Sequence, residues 1–159
     1  MRASRILLAL LLPVLVGLSI FGRLAYQAVG IESVAPATAL ARFEAVRGRF
    51  ADRKPMLEVD AAGQVRPRTP SSRSVVPPST EPTRLQVLAY YVEGQRLVKA
   101  EVPFWFLKLK GPAAQFALRD TGLDLERLHV TAEGLAREGP GLVLDQTRPN
   151  GDRLLVWTE

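Results

Sequence analysis

The chain has 159 residues with no cysteine and one histidine, and 21 basic residues against 16 acidic ones give a net charge of +5. That length holds one small domain and its approaches. The missing cysteines exclude a disulfide scaffold and a lipid-modified cysteine anchor, and with a single histidine the common zinc ligand sets are excluded too.

The charge is unevenly spread. From Thr83 to the end, ten basic residues balance ten acidic ones, so the whole excess precedes Thr83. A basic balance can advertise nucleic-acid binding. Here the expected folded part is neutral, which argues against nucleic acid as a partner.

Residues 6–22, opening at Ile6 and closing at Gly22, form an uncharged and almost wholly apolar run. A bilayer core needs about 20 apolar residues in a helix, with a range of roughly 17 to 25. The run meets the short end of that range, and Pro13 does not veto it, because membrane helices tolerate proline. Arg23 and Tyr26 read as interfacial markers beyond it. Arg2 and Arg5 precede the run, so the positive-inside rule places the amino terminus in the cytoplasm and the rest outside it. The alternative is a secretory signal peptide, with Gly17 and Ser19 as the small residues at a cleavage site. An apolar centre longer than the usual 7 to 15 or so residues favours the uncleaved anchor.

Residues 35–51 predict a short amphipathic helix. Leu40, Phe43, Val46 and Phe50 recur at spacings of three and four, and Arg42, Arg49 and Arg53 gather on another side. Such a helix either packs on its own domain or lies on anionic lipid. Next, residues 56–60 and 64–66 suggest a small hairpin around Gly63. Residues 66–82, rich in proline and serine, read as an extended linker that lacks the apolar area to offset ordering.

The carboxyl-terminal part is more legible. Leu85, Val87, Ala89 and Tyr91 alternate with Gln86, Leu88 and Tyr90, the period of a strand, and residues 97–102 resume the pattern after Glu93-Gly94. A hairpin there sets Ala89 against Val98, Val87 against Ala100 and Leu85 against Val102. Lys99 and Glu101 then share the other face with Leu88 and Tyr90. Glu93 suits the positive φ of a tight hairpin turn poorly, so a longer loop is the other option.

Residues 103–110 hold the densest aromatic cluster and read as a helix opened by Pro103 and closed by Gly111, although an edge strand fits the alternation of Trp105, Leu107 and Leu109 with Lys108 and Lys110. A second helix restarts at Pro112 and closes at Gly122. Thr131 is placed as a helix cap, with Val130 and Leu135 at the two positions of a hydrophobic staple. The final hairpin, residues 142–146 and 153–158, turns at Pro149-Asn150-Gly151-Asp152.

Chemistry is sparse. His129 lies beside Leu128 and Val130 without a partner in sequence, and general-base duty needs a positioned partner. Asp120, Asp124 and Glu126 make a carboxylate cluster of the kind that performs glycoside chemistry, but they punctuate helix ends and turns. A nucleophile elbow and a glycine-rich phosphate loop are both missing from the sequence. Arg148, Asp152 and Arg153 read as solubilising charges. No catalytic residue, cofactor or metal site is assigned, and a small hydrolase using the three acids is the remote option. Phe104, Trp105, Phe106 and Trp157 are read as core, with one or two of them exposed as anchors for a partner in the alternative. Lys108 and Lys110 would then rim that surface.

The expected architecture is α+β: an amino-terminal transmembrane helix, a helical and proline-rich stalk, and a small carboxyl-terminal domain in the order β-β-α-α-β-β. Residues 1–31 are the anchor or signal peptide, 32–54 the stalk helix, 55–82 the hairpin and linker, and 83–159 the domain. The Arg-, Ala- and Leu-rich vocabulary suggests a bacterial chain. The expected role is non-catalytic, assembling an envelope protein at the inner membrane, with a secreted binding or inhibitory protein as the alternative.

Overall fold

The computed structural model describes residues 29–59, 65–67, 80–108, 118–126, 128 and 130–159. Its centre is the hairpin of β4 (Arg84–Tyr91) and β5 (Arg96–Pro103). The register is the one the alternation predicts, with Leu85 opposite Val102, Val87 opposite Ala100 and Ala89 opposite Val98. The turn residues 92–95 are closed by the Gln95 N–H donating to Val92 C=O at 3.2 Å. Gly94 (φ 84°) and Gln95 (φ 50°) take the left-handed backbone, so Glu93 escapes it.

Around this hairpin stands a seven-stranded sheet in the order β1-β5-β4-β7-β6-β2-β3. The remaining strands are β1 (Val29–Ser33), β2 (Leu57–Val59), β3 (Val65–Pro67), β6 (Gly141–Thr147) and β7 (Arg153–Thr158). All neighbours are antiparallel except β2 and β6, which run parallel with Leu57 opposite Leu144, so the sheet is mixed. Among the described residues three α-helices accompany it: α1 (Pro36–Gly48), α2 (Phe104–Leu107) and α3 (Ala132–Glu138).

The sheet is covered on both faces. On one, Leu85, Val87, Ala89, Val98, Ala100 and Val102 pack with Phe104, Leu118, Leu123 and Leu135. On the other, Leu88, Tyr90, Leu97, Leu155 and Trp157 pack against Ala39 and Phe43 of α1, with Val46 and Phe50 at its margin. Every residue from Leu85 to Tyr90 is consequently buried. A central strand clad by helices on both sides carries an uncharged run of this kind.

These findings correct the expected architecture. The sheet has seven strands in place of four, and the order β-β-α-α-β-β omits β1, β2 and β3 from the body they join. The helix read as stalk is one layer of the fold, because its Phe43 is fully buried against the sheet. Its buried side is Ala39 and Phe43 with Val46 and Phe50 at the margin, so the expected stripe stands except at Leu40, which stays 42% exposed while Ala39 takes its place. The apolar side that a lipid-bound helix would turn to the bilayer is occupied by the sheet. Val29 to Ile31, read as the tail of the anchor, open an edge strand. Among the described residues no helix is long and apolar enough to cross a membrane, and residues 6–22 lie outside them, as does the linker over residues 68–79.

Local signals held where they rested on caps and turns. Thr131 Oγ1 accepts the Gly134 N–H at 3.0 Å, and Val130 and Leu135 pack into one cluster. Gly122 ends the short 3-10 turn Arg119–Thr121 with φ 65°, while most of the helix expected from Pro112 lies outside the described residues. The small hairpin forms as β2 and β3, with Glu58 opposite Arg66. A bulge between Leu142 and Leu144 puts Val143 and Leu144 in the same cluster.

Candidate interaction surface

The aromatic cluster is divided by the sheet. Pro103 ends β5 at φ −56°, already near the helical value, and the chain turns at once into the four-residue α2. The Phe104 N–H donates to Thr83 C=O at 2.8 Å, so the β4–β5 ladder continues into the helix and fixes where it starts. Phe104 is 3% exposed and roots α2 in the core. Phe106 and Leu107 pack against the same cluster. One turn of helix cannot bury every side, and Trp105 is left 55% exposed. Its indole meets the Phe106 ring edge-on, with centroids 5.7 Å apart at 88°, a geometry favoured by aromatic quadrupoles. Lys108 lies 5.6 Å from the Phe104 centroid and pairs with Glu81.

Trp157 does not join this ledge. It is 3% exposed on the opposite face of the sheet, beneath α1. Its indole N–H donates to Glu159 Oε1 at 2.9 Å. That hydrogen bond, followed by the Arg49 guanidinium, holds the Glu159 carboxyl below its ordinary range. Of the six residues expected to form a partner surface, Trp105 and Lys108 remain at the surface beside Phe106, Phe104 and Trp157 are core, and Lys110 lies outside the described residues.

A second surface went unread in the sequence. β1 is one of the two edge strands, and Ile31 is 54% exposed on it. The Val34 N–H donates to Gln95 C=O at 2.9 Å, continuing the register in which Ser33 opposes Arg96. Hydrogen-bonded and open pairs alternate in an antiparallel ladder. Gly30 and Glu32 therefore face β5, and the backbone N–H and C=O groups of Val29, Ile31 and Ser33 point away from the sheet. The missed signal was the β-branched Val29 and Ile31 around a glycine, masked by their continuity with the apolar run.

Two of the acids make contacts through their backbone carbonyls. Asp120 C=O accepts the Tyr91 hydroxyl at 3.2 Å, and Asp124 C=O accepts the Leu128 N–H at 3.2 Å. Glu126 follows in the same turn-rich stretch. His129 lies outside the described residues. Among the described residues no group of three acids and histidines is placed to hold a metal ion.

The chain matches no known protein family, and neither a curated protein nor a solved structure shows significant similarity to it.

Proposed function

We propose that this chain is a non-catalytic interaction protein of the bacterial envelope, held at the inner membrane through residues 6–22 with its folded part outside the cytoplasm. The observation that carries the reading is the open edge of β1. The strand that follows the apolar run offers outward backbone groups at Val29, Ile31 and Ser33, with a half-exposed isoleucine at its centre. An extended segment of an envelope protein can add a strand there, gaining main-chain hydrogen bonds and seating a side chain against Ile31. Glu32, paired with Arg42 at 2.7 Å, is the kind of edge charge that discourages indiscriminate pairing.

The test is gentle solubilisation of the full-length protein from native membranes, with mass spectrometry of what accompanies it. A stoichiometric envelope protein that is lost with Ile31→Pro supports strand addition, because proline there removes a donor directed away from β5. Equal recovery with the proline variant moves the partner off this edge. Recovery of a soluble chain lacking about its first twenty residues and without a companion replaces the tethered reading with the secreted one.

A further inference from the structure

The direction of β1 fixes which end of the domain meets the bilayer. β1 runs antiparallel to β5, with Val29 opposite Ala100 and Ser33 opposite Arg96. The chain preceding Val29 therefore arrives from the end of the sheet where β5 reaches Pro103 and becomes α2. The same end gathers the start of β4 and the last residues of β7, where Arg84 and Glu159 bond to each other through their backbones. The opposite end carries the two hairpin turns, at residues 92–95 and 148–152.

The reach of the connection is short. Seven peptide steps lead from Gly22 to Val29 and span at most about 25 Å when fully extended. An apolar run buried in a bilayer thus holds the α2 end of the sheet close to the headgroups. On that end stands Trp105, 55% exposed, on a turn rooted by Phe104. Trp is enriched at the membrane interface, where its ring meets the acyl boundary and its N–H meets water. Lys108 beside it, paired with Glu81, and Arg49 and Arg84 on the same end, paired with Glu159 and Glu101, carry long exposed stems that can exchange those carboxylates for phosphate headgroups.

We propose that Trp105 is an interfacial anchor: it inserts at the headgroup level and, with the apolar tether, fixes the domain with α2 towards the membrane and the hairpin turns away from it. The inference rests on the membrane-tethered reading above. It assigns the ledge to lipid and leaves the β1 edge to a protein partner. Trp157, buried on the other face, stays out of contact with lipid.

The experiment uses the full-length protein reconstituted into phosphatidylethanolamine–phosphatidylglycerol vesicles, with and without bromine on the upper acyl chain. Flotation first establishes that the protein stays with the vesicles. Tryptophan emission is then compared between the wild type and Trp105→Phe. The expected result is that brominated lipid quenches a large part of the wild-type emission and leaves the variant, which reports Trp157 alone, nearly unchanged. Protein that floats while its emission resists brominated lipid and yields to aqueous iodide overturns the anchor and leaves the tether standing. Quenching that survives in Trp105→Phe also overturns it, by placing lipid near Trp157. Protein that fails to float sinks the tether, and the orientation with it.

Discussion

The carboxylate of Asp152 accepts the backbone N–H of Val92 at 2.9 Å, joining the turn of the carboxyl-terminal hairpin to the turn between β4 and β5. Asp152 is 8% exposed, and its second oxygen accepts the Asn150 side-chain amide at 2.8 Å. The Asp152 N–H returns to Asn150 Oδ1 at 3.1 Å. A charge read as solubilising is in fact a tertiary tie between two turns. Asp152→Ala is expected to cost roughly 1.5–3 kcal/mol, the range for a hydrogen bond to a charged group. Asp152→Asn, which keeps an acceptor, should lose less. Thermal unfolding of the two variants checks the order, and equal melting temperatures for wild type and Asp152→Ala would show the tie to be idle.

Phe43 decides whether α1 belongs to the domain. Its side chain is fully buried among Leu88, Leu97 and Trp157. Phe43→Ala should cost about 3–5 kcal/mol, the range for emptying a phenylalanine site in a core. Leu40→Ala, at a position 42% exposed on the same helix, should stay within about 0.5 kcal/mol apart from helix propensity. Denaturant midpoints for the pair distinguish a helix in the core from a stalk, which would tolerate both.

Arg47 clamps the last turn of α1 to β6. Its Nε and Nη2 donate to the two oxygens of Asp145 at 2.7 and 2.5 Å, a fork on a carboxylate. The pair is partly screened, with side chains 28% and 22% exposed. Arg47→Lys keeps the charge and loses the fork. The expected cost is about 1 kcal/mol, with faster amide exchange in α1 as its signature. Exchange in α1 that matches the wild type would mean that Phe43 holds the helix unaided.

Acid should weaken the carboxyl-terminal strand through Glu159. The Trp157 indole N–H and then Arg49 lower its pKa from the ordinary 4.5. A carboxyl depressed in the folded state stabilises above its unfolded pKa, and that contribution fades as pH falls through the folded one. Stability measured from about pH 5 downwards should therefore decline with a slope that Glu159→Gln reduces. Superimposable acid profiles for the two proteins would show that the carboxylate has no net part in folding.

How much was legible depended on the range of each signal. The β4–β5 register, the Thr131 cap and the carboxyl-terminal hairpin were readable because each is set by residues a few positions apart, through side-chain period, capping chemistry or turn geometry. Trp105 and Trp157 looked alike in sequence and separated in the fold. Composition carries no information on which side of a sheet a residue stands or what layer covers it.

By itself the sequence determined the apolar run, the charge-neutral carboxyl-terminal part, the pairing within each hairpin and the caps. These are properties of local covalent order, and they need no knowledge of distant residues. Only tertiary structure decided that β7 is inserted between β4 and β6, that α1 is a layer of the core, that β1 is a strand, and that Asp152 is a tie. Each of those outcomes comes from burial shared among segments far apart in the chain. The free energy of covering both faces of β4 outweighs the weak local preferences of the segments that cover it.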